Sequence, residues 1–194
     1  MVRKTLAKLV LKLHGWKIVG DIPPETKRCV LVAGPHTSNW DFYFAAACMF
    51  AMDTPMKIGI KDFYMKFPLG PIIRYFGGVG VNLRPDKRFD RKGQVAIFAE
   101  LFEEYDNIAF IISPEGNRTK TDKWKTGFFR IAELAQVPIV VAYLDHDKKE
   151  GGFGPVIDTK DGLDNAMMTM IDFYEEIPPC IKGYFQRDKR YPKV

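Results

Sequence analysis

Apolar residues in this chain fall into short blocks separated by charged and turn-forming residues, and the blocks alternate between two periods. Near the start, Leu6, Leu9, Val10 and Leu13 recur at i, i+3, i+4 and i+7, which predicts one apolar face of a helix over residues 3–14. Arg3, Lys4, Lys8 and Lys12 supply its basic side. Short apolar runs predict strands at 16–19, 29–33, 56–60, 108–112, 137–144 and 153–158, and Gly77 to Arg84 reads as a further strand ending in an arginine. Between them, 42–52, residues from 90 or 91 to about 105, 127–135 and 163–174 carry helical patterns. The stretch 63–76 mixes aromatics with Pro68, Gly70 and Pro71 and predicts broken helices.

Alternating strands and helices predict an α/β fold: a single domain with a mostly parallel mixed sheet flanked by helices, preceded by an amphipathic helix. The expected organisation is a membrane-proximal amphipathic segment over 1–20, the main domain over 21–180 and a basic, partly loose tail over 181–194. In such sheets ligands sit beyond the carboxyl ends of the strands. His36, Lys61, Arg84 and the Glu115–Arg118 cluster each follow a predicted strand, so parallel strands would gather all four at one edge.

The most chemically suggestive stretch is Pro35-His36-Thr37-Ser38-Asn39-Trp40-Asp41. A histidine in a strand-to-helix turn with a carboxylate five positions on is a base with its orienter. Five residues of regular helix rotate about 500°, so the two side chains meet only if His36 precedes the helix and Asp41 lies in its first turn. A plainer reading stands beside it. Ser38 and Asp41 match a capping box ahead of an apolar run, which would give Asp41 a purely structural task.

Composition narrows the field. The 194 residues, 46% hydrophobic, suffice for one domain with a sizeable core. The net charge of +5 favours anionic partners, but no long run of like charge marks a nucleic-acid arm. Cys29, Cys48 and Cys180 form no CxxC pair, which argues against a disulfide framework or zinc site and fits a reducing compartment. No apolar stretch reaches 18 residues, and lysines interrupt the first apolar residues, so neither a membrane span nor a signal peptide is expected. The first helix either docks on the core or lies on an anionic membrane, and 63–76 is either an irregular core segment or a greasy lip.

These blocks resemble those of the glycerolipid acyltransferases, the family that includes the lysophosphatidic acid acyltransferases. His36 and Asp41 match its His-x4-Asp block, Gly78 to Arg84 resembles its second block, Pro114-Glu115-Gly116-Asn117-Arg118 matches its Pro-Glu-Gly-Thr-Arg block, and Val137-Pro138-Ile139-Val140 resembles its fourth. The chain departs from the pattern at Pro35, Asn82, Leu83 and Asn117. The resemblance implies transfer of a fatty acyl group from an acyl carrier protein or coenzyme A thioester to the hydroxyl of a 1-acylglycerol-3-phosphate-like lysophospholipid. It implies His36 as general base, Asp41 as its orienter, and Arg84, Glu115, Gly116 and Arg118 as the acceptor's phosphate site. Lys61 and Lys125 join that site by position and charge. No cofactor or metal is implied beyond the thioester co-substrate. The expected setting is cytoplasmic and peripheral, on the inner face of the cell membrane. The alternatives are a different acceptor such as an amino-acid-containing lyso-lipid, a hydrolase using water, and a non-catalytic module that binds lipid or phosphate.

Overall fold

The computed structural model describes residues 2–66, 68–81 and 91–193, without side-chain placement for residues 61, 62, 81, 91 and 92. The strands are β1 (Lys17–Val19), β2 (Arg28–Gly34), β3 (Met56–Lys61), β4 (Gly78–Val81), β5 (Ile108–Ile112), β6 (Ile139–Asp145) and β7 (Glu150–Ile157). The helices are α1 (Val2–His14), α2 (Asn39–Ala51), α3 (Leu69–Tyr75), α4 (Arg91–Glu104), α5 (Gly127–Ala135) and α6 (Leu163–Glu175). Seven strands form one sheet in the order β1-β7-β6-β2-β5-β3-β4.

Strand β2 is the spine. It pairs in parallel with β5, from Arg28↔Ile108 to Val32↔Ile112, and with β6, from Val30↔Ile139 to Gly34↔Tyr143. Its residues Cys29 to Val32 are fully buried because both faces are covered. On one face Val30 and Val32 join residues of α4, α5 and α6, among them Phe102, Phe128, Met170 and Tyr174. On the other, Cys29 and Leu31 join Ala7 and Leu11 of α1 and Phe44, Cys48 and Met49 of α2. Each such side chain withdrawn from water contributes about 1.5–3 kcal/mol.

The sheet is mixed, as expected, and two other expectations need revision. β7 runs antiparallel to β6, because the four residues between Asp145 and Glu150 leave no room for a crossover helix. Asp145 accepts the Lys148 amide at 2.9 Å and closes the turn instead. α1 docks through Ala7 and Leu11, while Leu6, Leu9 and Leu13, three of the four residues of its predicted apolar face, stay exposed. The basic tail is packed rather than loose. Asp188 is fully buried, accepts the Trp124 amide at 2.7 Å and pairs with Arg190, while Arg187 bridges Asp172 and Glu175 of α6. Two predicted positions fall outside what is described: all of Arg84, and the side chain of Lys61, whose backbone ends β3.

Candidate active site

The carboxyl edge of the parallel strands builds the site from three successive exits. At the end of β2, Gly34 leaves no room for a side chain. A Cβ there would lie 3.1 Å from the Tyr174 ring and 3.3 Å from Glu115 Oε1. The buried Tyr174 hydroxyl reaches the Val32 carbonyl at 2.8 Å and that of Ala142 at 3.1 Å, tying β2 to β6 just below the turn. The Gly34–Pro35 peptide is cis.

His36 follows in the turn, and α2 begins at Asn39, so Asp41 falls in the first helical turn as the meeting of the two side chains requires. His36 Nδ1 lies 3.2 Å from Asp41 Oδ2. The same oxygen accepts the Thr37 and Ser38 amides, each at 2.7 Å. Ser38 Oγ accepts the Trp40 amide and completes the capping box. The structural and chemical readings of Asp41 therefore coexist: one carboxylate caps the helix and holds the imidazole. Burial alone would raise its pKa. Contacts from His146, His36 and the two amides more than reverse this and hold the carboxyl well below the usual range. A proton on Nδ1 would face this carboxylate and leave Nε2 its lone pair.

At the β5 exit, Glu115 is buried beneath the His36 turn rather than open to a ligand. Its Oε1 accepts the His36 amide at 2.9 Å and its Oε2 accepts the Ser113 hydroxyl at 2.6 Å. Both oxygens are engaged by protein, so its expected place among phosphate ligands gives way to that of a brace for the turn. Burial pushes its pKa up, against the hydrogen bonds from Ser113 and the His36 amide. Gly116 next to it has φ +70°, and Lys125 covers it so closely that a Cβ would lie 2.5 Å from Nζ. The Lys125 amide donates to the Pro114 carbonyl at 2.7 Å and closes the neck of the loop. Arg118 and Lys125 are exposed, and Arg118 lines the same cavity as His36.

That cavity has a volume of about 320 Å³ and opens between α2 and the sheet. His36, Asp41 and Arg118 line it together with a largely apolar wall that includes Leu31, Ala46, Met49, Ile58 and Ile111. A polar pair beside an apolar channel of this size suits a ligand with a reactive end and a hydrocarbon body.

The third exit was not foreseen. His146 follows β6 directly, and its Nε2 lies 2.9 Å from Asp41 Oδ1, the oxygen His36 leaves free. The signal was a histidine two residues past a predicted strand, but nothing in the spacing linked it to position 41. The segment after α6 closes over this corner: the Ile181 amide donates to Thr37 Oγ1 at 3.1 Å.

An acyltransferase family profile matches residues 17–144, which contain the β2 and β5 exits and stop just short of the β6 exit at His146. No curated protein sequence matches the chain significantly. Among solved structures, the 1-acyl-sn-glycerophosphate (LPA) acyltransferase PlsC from Thermotoga maritima shares the fold, with a TM-score of 0.57 at 16% identity over 90% of this chain and 74% of that one.

Proposed function

The chain belongs to the acyltransferase family, and from that premise we propose that it moves a fatty acyl group from an acyl carrier protein or coenzyme A thioester to the hydroxyl of a 1-acylglycerol-3-phosphate-like lysophospholipid, as a step in phospholipid biosynthesis. The observation that carries this reading is the His36–Asp41 pair at the mouth of an apolar cavity.

In this mechanism the acyl chain lies along the cavity and the thioester carbonyl rests near His36. His36 Nε2 takes the acceptor's hydroxyl proton as that oxygen attacks the carbonyl carbon, a step worth about 10²–10⁴ in rate. Asp41 stabilises the imidazolium that forms. The tetrahedral intermediate collapses with cleavage of the C–S bond. The departing thiolate takes the proton from His36 and leaves as a thiol. Arg118, with Lys125 beside it and Arg84 by family resemblance, meets the acceptor phosphate through charge-assisted hydrogen bonds. Glu115 keeps the base in place by fixing its backbone.

Membrane association is part of the proposal. Leu6 and Leu13 are 56% and 74% exposed, and Phe63, Ile72 and Tyr75 are exposed as well. Arg3 ties α1 to α3 through the Tyr75 carbonyl at 2.9 Å, which joins the two apolar surfaces. Among the described residues no helix is long and apolar enough to cross a membrane. These surfaces suit a protein lying on one leaflet, with basic residues of α1 toward anionic headgroups.

Purified protein, a panel of lyso-lipids and both thioester donors, analysed by mass spectrometry, tests the reading. Acyl transfer to a lysophosphatidate acceptor is expected, and a folded His36→Ala variant should lose it by at least about 10²-fold. Normal transfer by that variant would refute the assignment of the base.

A further inference from the structure

The corner behind Asp41 holds more donor chemistry than acyl transfer requires. Asp41, His146 and Cys180 each offer one donor atom, and the three atoms lie within 4.8 Å of one another. Asp41 is 6% exposed, and its Oδ1 and His146 Nε2 are both buried without a hydrogen-bond partner. The two atoms are only 2.9 Å apart, but the approach is too bent for a hydrogen bond. A buried carboxylate oxygen and a buried imidazole nitrogen thus face each other without a well-formed hydrogen bond, an arrangement that a cation bound to both would satisfy. Cys180 is a free, partly exposed thiol on the segment that closes over the site. Backbone hydrogen bonds pin that segment to both neighbours, from Ile181 to Thr37 Oγ1 at 3.1 Å and from His146 to the Pro178 carbonyl at 3.5 Å.

We propose that Asp41, His146 and Cys180 form an inhibitory site for Zn²⁺. A carboxylate, an imidazole and a thiolate are the ligand types this borderline-soft ion takes, at about 2.0–2.3 Å, in a tetrahedral arrangement. By those bond lengths, donors on one zinc stand roughly 3.3–3.6 Å apart. The cluster reaches that spacing with side-chain adjustments of about an ångström, and the partly exposed side leaves the fourth position to water. The inhibition rests on the acyltransferase reading. Zn²⁺ on Oδ1 draws charge from the carboxylate that must stabilise the His36 imidazolium, so the base weakens while the fold is unchanged. The metal binding itself does not rest on that reading.

The full chain is titrated with Co²⁺, whose thiolate complex absorbs in the near ultraviolet, and then with Zn²⁺ in competition and in the acyl-transfer assay. A 1:1 thiolate band is expected, abolished in Cys180→Ser and weakened by at least about tenfold in affinity in His146→Gln. Zn²⁺ should inhibit the wild type, while Cys180→Ser should turn over normally in chelator and resist Zn²⁺ at that concentration. Absence of the band, or a band unchanged in both variants, overturns the site. A band without loss of turnover overturns its inhibitory role. A protein that binds cobalt through Cys180 but transfers no acyl group with any donor would count against the acyltransferase reading alone.

Discussion

Replacing Asp41 by Asn should separate the two tasks that meet at one oxygen. Oδ2 receives the Thr37 and Ser38 amides at 2.7 Å and faces His36 Nδ1 at 3.2 Å. Hydrogen bonds to a charged acceptor contribute about 1.5–3 kcal/mol each. A neutral amide oxygen in the Oδ2 position keeps weaker forms of all three, and its NH₂ group then faces His146 Nε2, so the net loss is about 2–4 kcal/mol. In a chain of this length that lowers Tm by about 5–15 °C. With the formal charge gone, the imidazolium that forms at His36 loses its counterion, and kcat should fall about 10²–10⁴-fold. The pH dependence carries a definite sign. Asp41 is held below its ordinary range in the fold, so its contribution is present above the unfolded value of about 3.9 and disappears as pH falls toward the folded one. Calorimetry at pH 7 and pH 3 with steady-state acyl transfer at pH 7 reads all three effects. A variant with wild-type Tm and kcat at pH 7 would sink the dual role.

Glu115→Gln tests the brace. The folded carboxyl titrates above its unfolded value, so its contribution is full below about pH 4.3 and is lost as pH rises through the folded value. Urea unfolding should show the Gln variant gaining on wild type between pH 4 and pH 8, and a pH-independent difference would contradict the burial argument. Ala46→Phe fills the apolar cavity. Each methylene it excludes forgoes about 0.8 kcal/mol, so kcat/KM for long acyl donors should drop about fourfold per excluded methylene while short donors are spared, and a uniform loss across chain lengths would remove the acyl chain from that cavity. Leu6, Leu9 and Leu13 together changed to Ser should weaken partition onto anionic vesicles by more than about tenfold in cosedimentation, with unchanged Tm; undiminished binding would take the membrane role from α1.

How much could be read from residues alone depended on the range of the interactions. The limits of β5 and α5 were legible because each is a compact apolar run between strong breakers. The His36–Asp41 meeting was legible because the constraint is local: five residues, one turn, one cap. Glu115 was visible only as an acid at a strand exit. Its burial depends on Gly34 and Tyr174, about 80 and 60 residues away in the chain, and no local pattern reports that. His146 was hidden for the same reason, since only the pairing of β2 with β6 brings it to Asp41, about 100 residues earlier in the chain. The tail looked solvated because its charges are dense, whereas their pairing with Asp122, Asp172 and Glu175 is a tertiary fact. β7 was expected only from Phe153, three residues late, because Glu150, Gly151 and Gly152 offer no apolar signal.

Trp124, in the loop that carries Arg118, is clasped by Asp188, 64 positions further along. During synthesis that loop therefore leaves the ribosome long before its clasp exists. A stalled or nicked nascent chain ending ahead of residue 188 would carry His36 and Asp41 with the Arg118 loop unmoored. The loop's final geometry would therefore be set only once residue 188 has emerged and closed on Trp124.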